Sequence, residues 1–128
     1  MIHVVRLGSP HGEREGTRIG TVRRPPRGVP KTEFASGDWY DVWLPELAPS
    51  VETMKLGQQA QTAAQWAAFI KRYRTEMAAP DASRALDVLA ALSHHGQFSV
   101  GCYCDDETQC HRSVLRALLR ERGAEIVD

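Results

Sequence analysis

The sequence predicts an α/β fold: a small layered domain with a mostly parallel sheet of about four strands flanked by helices. Three observations predict it. Towards the carboxyl end, "FSVGCYC" is apolar on both faces, as a buried central strand should be. It is followed by an amphipathic stretch with Val114, Leu115, Leu118 and Leu119, and then by "AEIVD", which together read as strand, helix, strand. The middle of the chain carries two further segments of helical period.

Taken in order, "IHVVRL" is apolar and β-branched and reads as a strand. "SPHGEREG" is a turn, and "TRIGTVRR" is a second strand stopped by Pro25 and Pro26. The connection is too short for a crossover helix, which leaves the mutual direction of these strands open. Residues through Pro30 to Gly37 have no periodicity and read as a long loop. "DWYDVWLPELAPS" reads as extended or short-helical, and Ser50 can cap a short helix through Met54. "TAAQ" at Thr62 to Gln65 fits a capping box, and Trp66, Phe69, Ile70, Tyr73 and Met77 then form one apolar stripe. After Pro80, Asp81 or Ser83 can start a helix with Leu86, Leu89, Ala90 and Leu92 inward, stopped near Gly96. Gly123 closes the last helix.

The 128 residues suit one domain, 1–128, that can bury a core without a disulfide or metal. Sixteen basic residues balance sixteen acidic ones, so net charge advertises neither nucleic acid nor membrane. No apolar run approaches the ~20 residues of a membrane helix. "MIHVVRLG" is too short for a secretory leader, and three clustered cysteines do not make a secreted disulfide framework. A cytoplasmic protein with reduced thiols is expected.

All three cysteines lie in "VGCYCDDETQCHRSVLRALL". Cys102 and Cys104 share a strand face, with Cys104 at the rim where ligands gather in parallel sheets. Cys110, His111 and Arg112 begin the next helix, where anions and thiolates are favoured. Arg23, Arg24 and Arg27 lie at the end of the second strand. If that strand pairs in parallel with "FSVGCYC", their guanidinium groups and that of Arg112 converge on one anion pocket. The plainer alternative pairs these arginines with Asp105, Asp106 and Glu107.

Three chemistries compete for the cysteines. Cys102, Cys104, Cys110 and His111 are zinc ligands in kind, but the spacing is unlike finger or ribbon patterns, and adjacent ligands on a helix diverge by ~100°. Cys102 or Cys104 can pair with Cys110 in a disulfide, whereas Cys102 with Cys104 sits at the upper limit of reach. Cys110, beside His111 and Arg112, is the candidate nucleophile. Cys102 reads as a small core residue. Trp39, Tyr40 and Trp43 form either a stacking platform or core, His94 and His95 sit structurally at a helix end, and His11 has no evident partner.

Four blocks in order, "VRRPPRGVPK", "WLPELAPS", "FIKRYRTEM" and "GCYCDDETQCHRSVLRALL", resemble the small bacterial YeaO-like proteins of the DUF488 family, from about Arg18 to Leu119. The resemblance implies an α/β domain with a shared arginine at Arg23 and, in one branch, a motif matching Cys102, Cys110, His111 and Arg112. It departs at Val22 and Cys104, where relatives often carry acidic residues. It brings no established reaction.

The expected function is an anion-binding pocket, for phosphate or nucleotide, that can carry catalysis. Catalytic residues are Cys110, His111 and Arg112; anion-binding residues are Arg23, Arg24, Arg27 and Arg112. No cofactor, metal or membrane is expected, and a phosphate-bearing small molecule or nucleic-acid end is the expected partner. The alternatives are a zinc-binding or redox-sensing module, and a protein- or nucleic-acid-binding module using the Trp39–Trp43 segment.

Overall fold

The computed structural model describes residues 1–127. Four strands, β1 (Ile2–Arg6), β2 (Thr17–Gly20), β3 (Val42–Trp43) and β4 (Phe98–Cys102), form one sheet in the order β1-β4-β2-β3. Every pairing is parallel, so β1 and β2 share a direction and β4 separates them. The short link between β1 and β2 is therefore not a hairpin: it steps over the place that β4 later fills.

Four helices cover the sheet: α1 (Val51–Gln59), α2 (Ala63–Met77), α3 (Pro80–Leu92) and α4 (His111–Glu121). Ser50 caps α1 by accepting from the Thr53 amide, and its helix runs five residues past Met54, to Gln59. Thr62 and Gln65 make the reciprocal capping box of α2, whose buried stripe holds Phe69, Tyr73 and Met77. In α3 the first residue is Pro80, with Ala79 at the cap, because proline's fixed φ suits a first turn whose N–H needs no partner. Leu92 ends that helix half exposed rather than in its buried stripe.

All four expected strands are shorter in the structure: β1 ends at Arg6, and β4 ends at Cys102, so Cys104 lies beyond the strand rather than on its face. β2 stops at Gly20, and beyond it the Thr21 amide donates to the Gly101 carbonyl. Within "AEIVD" only Ile126 forms a bridge, parallel to Ile2; the final residue of that segment lies outside the described residues.

The main core gathers Ile2, Leu47, Phe69, Tyr73, Leu86, Val100, Leu115 and Leu119. A smaller cluster of Leu7, Val22, Tyr40, Cys102 and Cys110 sits at the carboxyl ends of the strands. The expectation that Cys102 packs as core is met there, and the site is built around this cluster. No helix among the described residues is long and apolar enough to cross a membrane.

Candidate functional site

Cys102 ends β4, and the chain then leaves the sheet through a short 3-10 turn at Glu107–Gln109. Asp106 caps that turn by accepting from the Thr108 amide, 3.0 Å away. The turn brings Cys110 back over the strand end as the residue before α4, with an extended backbone (φ −133°, ψ 155°). The divergence expected of adjacent helical residues does not arise, because Cys110 stands outside the helix. Its Sγ lies 2.7 Å from Cys102 Sγ and 3.7 Å from His111 Nδ1.

The His111 ring is buried and fixed at its other nitrogen. Nε2 lies 2.8 Å from the Thr21 carbonyl oxygen, which can only accept, so Nε2 carries the proton. In the neutral ring Nδ1 then holds a lone pair towards Cys110, ready to take a proton. Tyr73 meets the ring edge-on at 5.6 Å, and its hydroxyl donates to the Leu47 carbonyl.

Arg112 is buried, and its Nη2 donates to the Cys104 carbonyl at 2.6 Å. Its Nε has no partner, and no carboxylate pairs with it among the described residues. A buried cation needs a counter-charge, and Cys104 supplies one. Hydrogen bonds from Cys102 and Cys110, with the Arg112 charge, draw the Cys104 thiol from 9.0 down to about 3. The same contacts, with burial, push Cys102 up, so the buried thiol keeps its proton and the exposed one gives it away.

Besides a small cleft of about 50 Å³ at Cys104, Cys110 and His111, two larger cavities open beside this cluster. One, of about 290 Å³, has Arg23, Arg24, Lys55, Met54, Cys104 and His111 among its walls. The other, of about 540 Å³, is walled by Arg6, Arg24, Pro26, Arg27, Trp39 and Tyr103 among others. Arg23 lines the first but also braces the start of α1, donating to the Pro49 and Ala48 carbonyls. Arg24 faces both cavities, Arg27 only the larger, and Arg112 lies beneath the cysteines. The acidic residues proposed as partners for these arginines are engaged elsewhere: Asp105 with Arg6 at 2.9 Å, and Glu107 with Arg116 at 2.7 Å.

Residues 2–123 match a protein-family model, DUF488-N3a, described as the active DUF488-N3 subclade. The chain belongs to the DUF488 family. No curated protein and no solved structure matches it.

In this DUF488 protein, Cys102, Cys110 and His111 offer ligand atoms within 4.8 Å of one another. On a tetrahedral zinc two sulfurs stand about 3.7 Å apart, and a sulfur and an imidazole nitrogen about 3.5 Å apart. The Cys110–His111 separation fits that, whereas the Cys102 and Cys110 sulfurs would have to move apart by about 1 Å. The Nε2–H bond to a carbonyl is the kind that orients a ligating histidine. The donor set thus accepts a metal only after the thiol pair opens.

Several residues that build the DUF488 site give little sign in the sequence. Arg18 is fully buried; it donates to the Ser9, Asp38 and Pro10 carbonyls and to the Glu15 carboxylate, tying together the loops beside the larger cavity. An arginine inside "TRIG" was the available signal, since a charge on a central strand must find partners. Tyr103 walls both cavities and donates to the Arg24 carbonyl. Of the aromatic segment, Tyr40 is core, Trp39 lines the larger cavity, and the half-exposed Trp43 donates to the Val22 carbonyl. His11 does have a neighbour, Asp38 at 3.5 Å, and His94 bonds the Gly123 carbonyl.

Proposed function

We propose that this DUF488 protein is a thiol-dependent enzyme acting on a small anionic substrate, with Cys104 as the thiolate that meets it. The carrying observation is the placement of Cys104: exposed, beside the buried Arg112 cation, and on the wall of a cavity with Arg23, Arg24 and Lys55. Guanidinium groups suit a phosphate or carboxylate, and an electropositive, accessible setting is what a reactive cysteine needs. The description of the matched family as an active subclade supports catalysis over a purely structural role. Three free thiols at one site suit a reducing compartment, and we place the protein in the cytoplasm.

In this reading the thiolate sulfur gives its electron pair to an electrophilic centre on the substrate, and the bond from that centre to the leaving group breaks. The sulfur pair becomes the new sulfur–substrate bond, while the leaving group departs with the electrons of the broken bond and takes the Cys110 proton. Water then cleaves the sulfur–substrate bond, freeing the thiolate, and its proton returns to Cys110 through His111 Nδ1. Arg112 holds the Cys104 backbone and its charge in place.

The test is alkylation by iodoacetamide, followed by peptide mass mapping across pH. Cys104 should label first, at a rate that stays level from pH 8 down to about pH 5. Labelling of another thiol first, or a rate falling tenfold per pH unit below about 8, would sink this reading.

A second reading, a zinc-binding module, is favoured by one observation: His111 Nδ1 is free towards Cys110 at a distance that fits a shared metal. Stoichiometric zinc in protein purified without chelators, lost together with structure on chelation, would replace the thiolate reading.

A further inference from the structure

We infer that the larger cavity binds a nucleoside phosphate, with the phosphate on Arg24 and Arg27 and the base against Trp39. This names the substrate class for the thiolate reading above, and its delivery to Cys104 rests on that reading; the binding itself does not.

The cavity lies at the carboxyl ends of β1, β2 and β4, where a parallel sheet gathers its ligands. At about 540 Å³ it falls within the ~300–1,000 Å³ usual for small-molecule sites. The guanidinium groups of Arg24 and Arg27 make no hydrogen bond or ion pair among the described residues, although both line it. Arg6 adds a third cation, held only by an exposed pair with Asp105 that an incoming phosphate can displace. Free guanidinium groups facing one concavity call for a dianion rather than a neutral ligand.

The aromatic half is equally built. The Trp39 ring lies against Gly8, where an added Cβ would come within 2.8 Å of it, and against Gly37, at 3.0 Å. Gly8 has φ +90° and Asp38 φ +63°, so two left-handed residues shape the turns that present this indole. Arg18 ties those turns together through the Ser9 and Asp38 carbonyls. Trp39 meets Tyr103 edge-on at 6.0 Å, and both rings line the cavity together with the arginines. A planar ring joined to a phosphate is the chemistry that uses both halves. Because Arg24 and Tyr103 wall both cavities, a bound nucleotide extends towards Cys104.

Isothermal titration of the whole chain with AMP, adenosine, inorganic phosphate and a 5′-phosphorylated tetranucleotide tests this. AMP or the tetranucleotide should bind saturably, and adenosine and phosphate at least about tenfold more weakly. The tighter of the two nucleotide probes tells a free nucleotide from a nucleic-acid end. Arg24→Gln with Arg27→Gln should weaken binding at least about tenfold, as should Trp39→Ala, with unchanged circular dichroism. Saturation by neither nucleotide probe, or binding that the arginine double variant leaves intact, would overturn the inference.

Cys104→Ser should bind AMP like wild type, so the pocket is read without the thiol and the two proposals fail separately. AMP should also slow Cys104 alkylation in the wild type; binding without protection would overturn the joining of the two cavities.

Discussion

The Nε2–H of His111 donates to the Thr21 carbonyl across 2.8 Å, tying the end of β2 to the first residue of α4. One ring thus closes the site sideways, while its Nδ1 faces Cys110. His111→Ala removes the donor and leaves the carbonyl and a void in the core. It should lower unfolding free energy by about 2–4 kcal/mol in urea titrations. Nitrogen NMR of the ring should report the Nε2–H tautomer; an Nδ1–H signal would mean that Cys110 does not face a base.

The approach of the Cys102 and Cys110 sulfurs, 2.7 Å, predicts which disulfide the protein makes under oxidation. Diamide should yield one intramolecular bond between these two, with loss of two hydrogens, while Cys104 stays free to alkylate. Cys110→Ser should abolish it and Cys104→Ser should not. Peptide mapping under non-reducing conditions distinguishes the pairings.

Stability should depend on pH through Cys104. Its thiol ionises at about 3 in the folded protein and near 9.0 unfolded, so between those values the unfolded chain binds the extra proton. The contribution is complete above the unfolded value and is lost as pH falls towards the folded one. The stability of wild type relative to Cys104→Ser should therefore rise with pH from about 5 to 8 in paired thermal melts. Cys104→Asp, which keeps a negative charge beside Arg112, should retain more of it at pH 5 than Cys104→Ser.

Arg18 and Glu15 form a buried ion pair at 3.1 Å, and removing one partner strands the other. Arg18→Met should cost about 3–5 kcal/mol by chemical denaturation. Adding Glu15→Gln should restore part of that loss, because the stranded carboxylate is then neutral. An unchanged midpoint in Arg18→Met would show that the two loops are held by other contacts.

The elements whose evidence is local were legible in the sequence. The Thr62–Gln65 capping box, the Trp66-to-Met77 stripe and the doubly apolar β4 depend on neighbours a few residues apart, and the structure has each of them. The parallel pairing of β2 with β4 was only a condition in the sequence reading, and the structure meets it. The direction of β1 and β2 was not legible, because the strand that orients both is remote in sequence, as the pairing of Ile2 with Phe98 and of Gly20 with Gly101 shows. Within the site, the proximity of "CHR" to the strand end could be read from strand, loop and helix order. So could the place of Cys104 at the rim, but the burial of Cys110 could not, since it depends on how the turn at Glu107–Gln109 folds that thiol inward. Arg18 was hidden for a similar reason: all its partners lie on loops without pattern.

The strand order β1-β4-β2 has a consequence for synthesis. As the chain leaves the ribosome, β1 and β2 emerge early but have no edge to share until residues 98–102 arrive between them. The nascent chain can form α1, α2 and α3 meanwhile, yet its sheet closes only when most of the polypeptide is made, a non-local step of the slow kind. The thiols are carried in by that closing strand and the turn after it. Translation that stalls before Phe98 leaves β1 unpaired and β2 held only by the two-residue β3, so both keep an edge open to aggregation, and there is no reactive centre at all.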